Sequence, residues 1–92
     1  MMTAKQVFYN GHVQGVGFRY SIKQIAKGFS VIGSVRNLPD GRVELQVGGD
    51  AEEVDAFLEA ITQSELRAHI RETDVVPLGA PPAVRGFEIR HG

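Results

Sequence analysis

The 92-residue chain contains no cysteine, which excludes disulfides, a thiolate nucleophile and zinc-thiolate sites. It also lacks any apolar run near the ~20 residues of a membrane-spanning helix, and Met1-Met2-Thr3-Ala4-Lys5 is nothing like the hydrophobic stretch of a secretory signal. A cytoplasmic protein without membrane contacts is expected. No internal repeat, low-complexity segment or linker divides it, so residues 1–92 read as a single domain around one core. His12, His69 and His91 have no ligand spacing and the acids show no D-x-D pattern, so neither a metal nor another cofactor is expected. Each histidine reads as a surface or packing residue. Neither nucleotide fingerprint is present: there is no G-K-[ST], and G-x-G-x-x-G from Gly15 would need glycine where Tyr20 stands.

Acidic residues are scarce in one half only. Residues 1–42 hold six Lys/Arg against the single acid Asp40, whereas residues 43–92 hold four against ten Asp/Glu, a swing from +5 to -6. Either two solvated faces differ in sign, or the basic half attracts a small anion. A net charge of -1 argues against a nucleic-acid partner, which usually selects a basic excess.

What is present in the basic half is the stretch Gly11 to Arg19, G-H-V-Q-G-V-G-F-R. It lies between an alternating apolar run and a helical one, so it reads as a strand-to-helix turn. Glycines permit positive φ, and successive amides in such a turn converge on an anion. An ordinary turn before a helix also uses glycines merely to relieve strain. The positive end of the following helix and the donor fork of Arg19 favour the phosphate cradle.

The remaining pattern predicts a first strand over 5–13 and an amphipathic helix from Phe18 to near Gly28, with Arg19, Lys23 and Lys27 along another, solvated face. Val31 to Leu38 and Val43 to Val47 read as strands joined by a Pro39-Asp40-Gly41 turn. A second helix is expected over 51–63, with Asp50 and Glu53 as a capping box. Ala68 to Val75 and Val84 to Arg90 complete the strands. The fold class is therefore α+β: a ferredoxin-like βαββαβ sandwich, an antiparallel sheet with two helices on one face and a short extra C-terminal strand. In that arrangement Asn37, at the outgoing end of the second strand, lies at the same sheet edge as the start of the first helix. A carboxamide there can accept from and donate to one water, though an asparagine at a strand end is also a common turn former.

These residues resemble the acylphosphatase family. Its first signature, G-x-V-Q-G-V-G-F-R, is matched throughout from Gly11 to Arg19. Its second is matched at Gly33, Val35, Arg36, Asn37, Gly41, Val43 and Gly49. Ser34 departs from a usual aromatic, Ser30 from a frequent glycine, and Ser64-Glu65-Leu66 from a usual Gly-Pro pair; substrate preference and stability are the properties these changes touch. The resemblance implies hydrolysis of a small-molecule acyl phosphate to a carboxylate and inorganic phosphate. It implies that Arg19 and Asn37 are catalytic and that the phosphate-binding loop consists of Gln14, Gly15, Val16, Gly17 and Phe18, in a monomer needing no metal. Arg36, on the opposite strand face from Asn37, reads as a solvated charge.

Other proteins share this element order. RNA-recognition domains expose aromatics on their central strands, whereas here Glu44 and Gln46 alternate outward. A silent regulatory domain of ferredoxin-like fold is another reading. A third is the acylphosphatase-like opening domain of the larger carbamoyltransferases of hydrogenase maturation, against which the chain's length is set.

Overall fold

The structure, a computed structural model, describes residues 1–91. Its elements are β1 (Met2–Gly11), α1 (Phe18–Ala26), β2 (Val31–Asn37), β3 (Val43–Asp50), α2 (Ala51–Gln63), a 3-10 turn (Glu65–His69), β4 (Ile70–Pro77) and β5 (Phe87–Arg90). The strands form one sheet in the order β4-β1-β3-β2-β5. The expected ferredoxin-like α+β sandwich is what forms. Every pairing is antiparallel except that of β5, which runs parallel to β2.

Period-two alternation decides the core. Val7 and Tyr9 of β1, Val35 of β2, and Val43, Leu45 and Val47 of β3 are buried together against Phe18 and Ile22 of α1 and Val54, Phe57 and Ile61 of α2. Phe57 sits between two other rings, 5.9 Å from Phe29 after α1 and 5.7 Å from Phe87 on β5. That cluster ties the last strand to the second helix.

The opposite sheet face is polar yet not fully solvated. Glu44 is only 7% exposed. It accepts hydrogen bonds from Arg36 Nε at 2.7 Å and from Gln6 Nε2 at 2.7 Å. Arg36 is thus half of an ion pair across β2 and β3, not a free charge, and Glu44 does not project into solvent as alternation alone implies. The cross-strand register sets Arg36 opposite Glu44, and burying that carboxylate requires that its acceptors be met.

Several boundaries differ from expectation for local reasons. β1 begins at Met2 because Met2 to Ala4 pair with Asp50 to Gly48, and it ends at Gly11 beside an irregularity at Asn10/Gly11. Val13 is still buried, from within the loop. β4 begins at Ile70, since Ser64 accepts from Leu66 N–H and starts the 3-10 turn, which takes in Ala68. At the sheet edge β4 keeps only Ile70 partly covered, and Val75 and Val76 are exposed, so its apolar residues do not mark a core face. Asp50 caps α2 by accepting from Glu52 N–H at 3.1 Å. Glu53 does not complete a capping box; it accepts from Ser30 N–H at 2.8 Å and joins the start of β2 to α2.

β4 and β5 lie at opposite sheet edges, so their connection must cross the sheet. Leu78 N–H donates to Ala4 O, Pro81 and Pro82 press on Gly48, and Gly33 N–H donates to Gly86 O. This crossing occupies one end of the sheet. The outgoing ends of β1, β2 and β5 are left together at the other. Among the described residues no helix is long and apolar enough to cross a membrane.

Phe57→Ala is expected to cost about 3–5 kcal/mol by cavity formation. In a domain of this size that lowers Tm by more than ~10 °C, which calorimetry would read. The hydrogen bond from Glu52 N–H, then the nearby Met1 ammonium, holds the Asp50 carboxyl below the usual carboxylate range. Its stabilising effect is therefore present above the unfolded-state value and is lost as pH falls through the folded one. Asp50→Ala should be less stable than the parent at neutral pH, the difference closing on acidification in urea titrations.

Candidate active site

β1 delivers the chain to the sheet end, and two glycines turn it into α1. Gly15 has φ +77° and Gly17 φ +74°, left-handed values that cost a side chain roughly 1–2 kcal/mol. No atom lies within 4 Å of where a Cβ would stand at either position, so the requirement is backbone shape and not close packing. Gly17 is the N-cap of α1 and no side chain caps the helix. The first helical bond is Ser21 N–H to Gly17 O at 3.0 Å. The amides ahead of Ser21 therefore have no acceptor within the helix, and no acid stands in the first turn to meet them.

Beneath this turn Tyr9 and Phe18 pack edge to face with centroids 5.4 Å apart. Burial pushes the Tyr9 phenol well above its usual range, so it stays a neutral floor. Gln14 secures the turn from the side. Its Nε2 donates to Leu38 O at 2.8 Å and Arg42 O at 2.9 Å, the two ends of the β2–β3 hairpin. The same hairpin is closed by Leu38 N–H to Arg42 O at 2.8 Å. Asp40 accepts from Arg42 N–H and Nε, and its carboxyl is held below the usual range chiefly by the backbone hydrogen bond. The turn before α1 and the strand end bearing Asn37 are thus coupled through one carboxamide.

A cavity of about 240 Å³ opens where these parts meet, lined by Val13, Gly15, Gly17, Phe18, Arg19, Tyr20, Asn37, Ile89 and His91. Of the residues singled out in the sequence, Arg19, Asn37, Gly15, Gly17 and Phe18 come together there. Gln14 and Val16 do not line it: the Gln14 side chain is committed to the hairpin, and Val16 packs half-buried against the core. Arg19 Nη1 donates to Arg90 O at 3.1 Å, and no carboxylate pairs with it among the described residues. Asn37 Oδ1 is buried and finds no hydrogen-bond partner in the protein. Among the described residues none that lines the cavity is acidic, and the lining brings together Arg19, the start of a helix without a side-chain cap, and Asn37. Lys23 lies farther along α1 and Lys27 caps its far end, and neither lines the cavity.

Ile89 and His91 were not legible as site residues in one dimension. Only the parallel pairing of β5 with β2 brings them here. Among the described residues no three His, Cys, Asp or Glu side chains group as a metal site would need.

The fold and cavity define a class: a two-layer ferredoxin-like sandwich with an uncapped, arginine-bearing helix N-terminus at one sheet end. The acylphosphatase family model matches residues 5–89. An acylphosphatase of Haloarcula marismortui is 39% identical over 88 residues, 96% of this chain and 96% of the relative. One from Archaeoglobus fulgidus is 39% identical over 74 residues, 80% of this chain and 83% of the relative. The crystal structure of the Bacillus subtilis acylphosphatase superposes with a TM-score of 0.85 at 29% identity, covering 98% of this chain and 99% of that one. The chain belongs to the acylphosphatase family and is an enzyme of that type.

Gln14→Ala removes one donor group from two hairpin carbonyls and should cost about 1–3 kcal/mol. A lower urea midpoint at unchanged m is the expected readout.

Proposed function

We propose that this chain hydrolyses the carboxyl-phosphate bond of small acyl phosphates, with Arg19 and Asn37 as its catalytic residues. The observation that carries this reading is the convergence of the Arg19 guanidinium and the Asn37 carboxamide on the cavity beneath the amides at the start of α1. A phosphoryl group is a small, doubly anionic tetrahedron, and the free amides with Arg19 suit its equatorial oxygens. Gly15, Gly17 and Phe18 contribute backbone to this cradle. Gln14 and Val16 shape it from behind.

Arg19 spends one amino group on Arg90 O and keeps the rest of its fork for substrate. That bond also restrains the side chain, so less freedom is lost on binding. Lysine would supply the charge without the paired donors. Asn37 lines the cavity, and its carboxamide, able to accept from and donate to one water, orients the attacking water without titrating.

In the reaction the water oxygen attacks phosphorus as the bond from phosphorus to the acyl oxygen breaks. The carboxylate departs without needing a proton, so no acid of raised pKa is required. Phosphoryl oxygens are available to take the water's proton. Positioning and charge stabilisation supply most of the barrier reduction in phosphoryl transfer, which is why so small a set of groups suffices. All of them come from one chain, so a monomer is sufficient.

Hydrolysis of benzoyl phosphate in the presence of EDTA tests the reading. Arg19→Lys and Asn37→Ala should each lower turnover by roughly 10²–10³, the scale of a lost preorganised donor. Folded Asn37→Ala protein with wild-type turnover would falsify the role given to that residue.

A further inference from the structure

A second cavity, about 390 Å³, adjoins the first and is lined by Arg19, Asn37, Leu38, Pro39 and His91. Three residues line both: Arg19, Asn37 and His91. The first two already have roles. The third was read from the sequence as a surface or packing residue.

Strand register is what brings His91 here. The parallel ladder sets Val35 against Ile89 and Arg36 against Arg90, so one further step along both strands sets His91 beside Asn37. Val35 and Ile89 face the core side of the sheet, and residues two positions on keep that side. The residue before His91 supplies the carbonyl that holds Arg19 Nη1 at 3.1 Å. Imidazole and guanidinium are therefore carried by directly linked parts of the structure.

Among the described residues the charges that line the cavities with His91 are of one sign. Arg19 and Tyr20 of α1 are the other titratable residues lining them. The hairpin contributes Asn37, Leu38 and Pro39, all uncharged, and Asp40 beyond them is bound to Arg42 Nε at 2.8 Å. On β5 itself Arg90 pairs with Glu88 at 3.1 Å. Among the described residues no carboxylate lines either cavity, so the cation-bearing lining they form is directed to an anion brought by the substrate.

We propose that His91 is a substrate-contacting residue, its protonated imidazole setting a second cation beside Arg19 on the phosphoryl group of a bound acyl phosphate. This rests on the acyl-phosphate reading above and adds a regulated affinity to it. A phosphoryl dianion carries more charge than one guanidinium neutralises, and a charged imidazole donates a stronger hydrogen bond than a neutral one. Histidine is the side chain that changes charge across the neutral range. The added affinity is present while the imidazole is protonated and is lost as pH rises. Its size is modest because His91 is exposed to solvent.

The test compares KM for benzoyl phosphate between the wild-type protein and His91→Gln from about pH 6 to about pH 8. Taking the ratio cancels titration of the substrate. The ratio should be roughly two- to fivefold at the acid end, the range of an exposed ion pair, and should shrink with rising pH. His91→Arg, charged throughout, should hold the tighter KM across the whole range. A ratio independent of pH, or an arginine variant indistinguishable from the glutamine one, overturns the role of His91. If the wild-type protein fails to hydrolyse benzoyl phosphate, the underlying functional reading fails instead. Normal turnover with a flat ratio sinks the His91 role alone.

Discussion

The amides at the start of α1 impose the constraint on which the rest of this molecule depends. A helix N-terminus must have its donors met by a side chain, by water or by a ligand, and here Gly17 leaves them without a side-chain cap. Holding that end open requires a turn with two left-handed residues, which glycine alone adopts readily. It also requires the turn to stay put, and the two hydrogen bonds from Gln14 to the β2–β3 hairpin do this. One carboxamide thus fixes the distance between this turn and the strand that carries Asn37. The family signature has a structural logic: glycines for shape and glutamine for attachment.

The second dependence is on β5, the shortest strand. It is held from one side by the β2 ladder and from the other by Phe87 against Phe57 in the core. In return its last carbonyl restrains Arg19. Packing far from the cavity is therefore linked to the aim of the guanidinium through a chain of direct contacts. The crossing segment from β4 makes this possible, since it passes the far end of the sheet and leaves the functional end clear.

Electrostatics follow the same division. The acidic half of the chain keeps its acidic side chains on α2 and the 3-10 turn after it, on β3 and along the edge strands, and none of the described ones lines the cavity. Glu44, the buried one, is absorbed by Arg36 and Gln6. Among the described residues no carboxylate pairs with Arg19, and the field they set at the cavity keeps its positive sign.

Element order, the second helix and the hairpin turn were all legible in the sequence, because each rests on local chemistry or on a short spacing. Apolar periodicity marks a helix wherever it sits, Pro-Asp-Gly makes its own turn, and glycines announce positive φ. The misreadings share one cause. Glu53 was expected to reach back to Asp50 but bonds Ser30, Arg36 was expected in solvent but meets Glu44, and β4 alternates without burying a face. Each was decided by a partner on another element, at a position no local pattern encodes. His91 is the clearest instance: its residue type was visible, but its place beside Asn37 exists only because β5 pairs parallel to β2 in one register. Short-range chemistry by itself determined the shape of the turn before α1. Long-range strand pairing decided what stands around it, because register is set by the burial of whole strands and not by the residues it brings together.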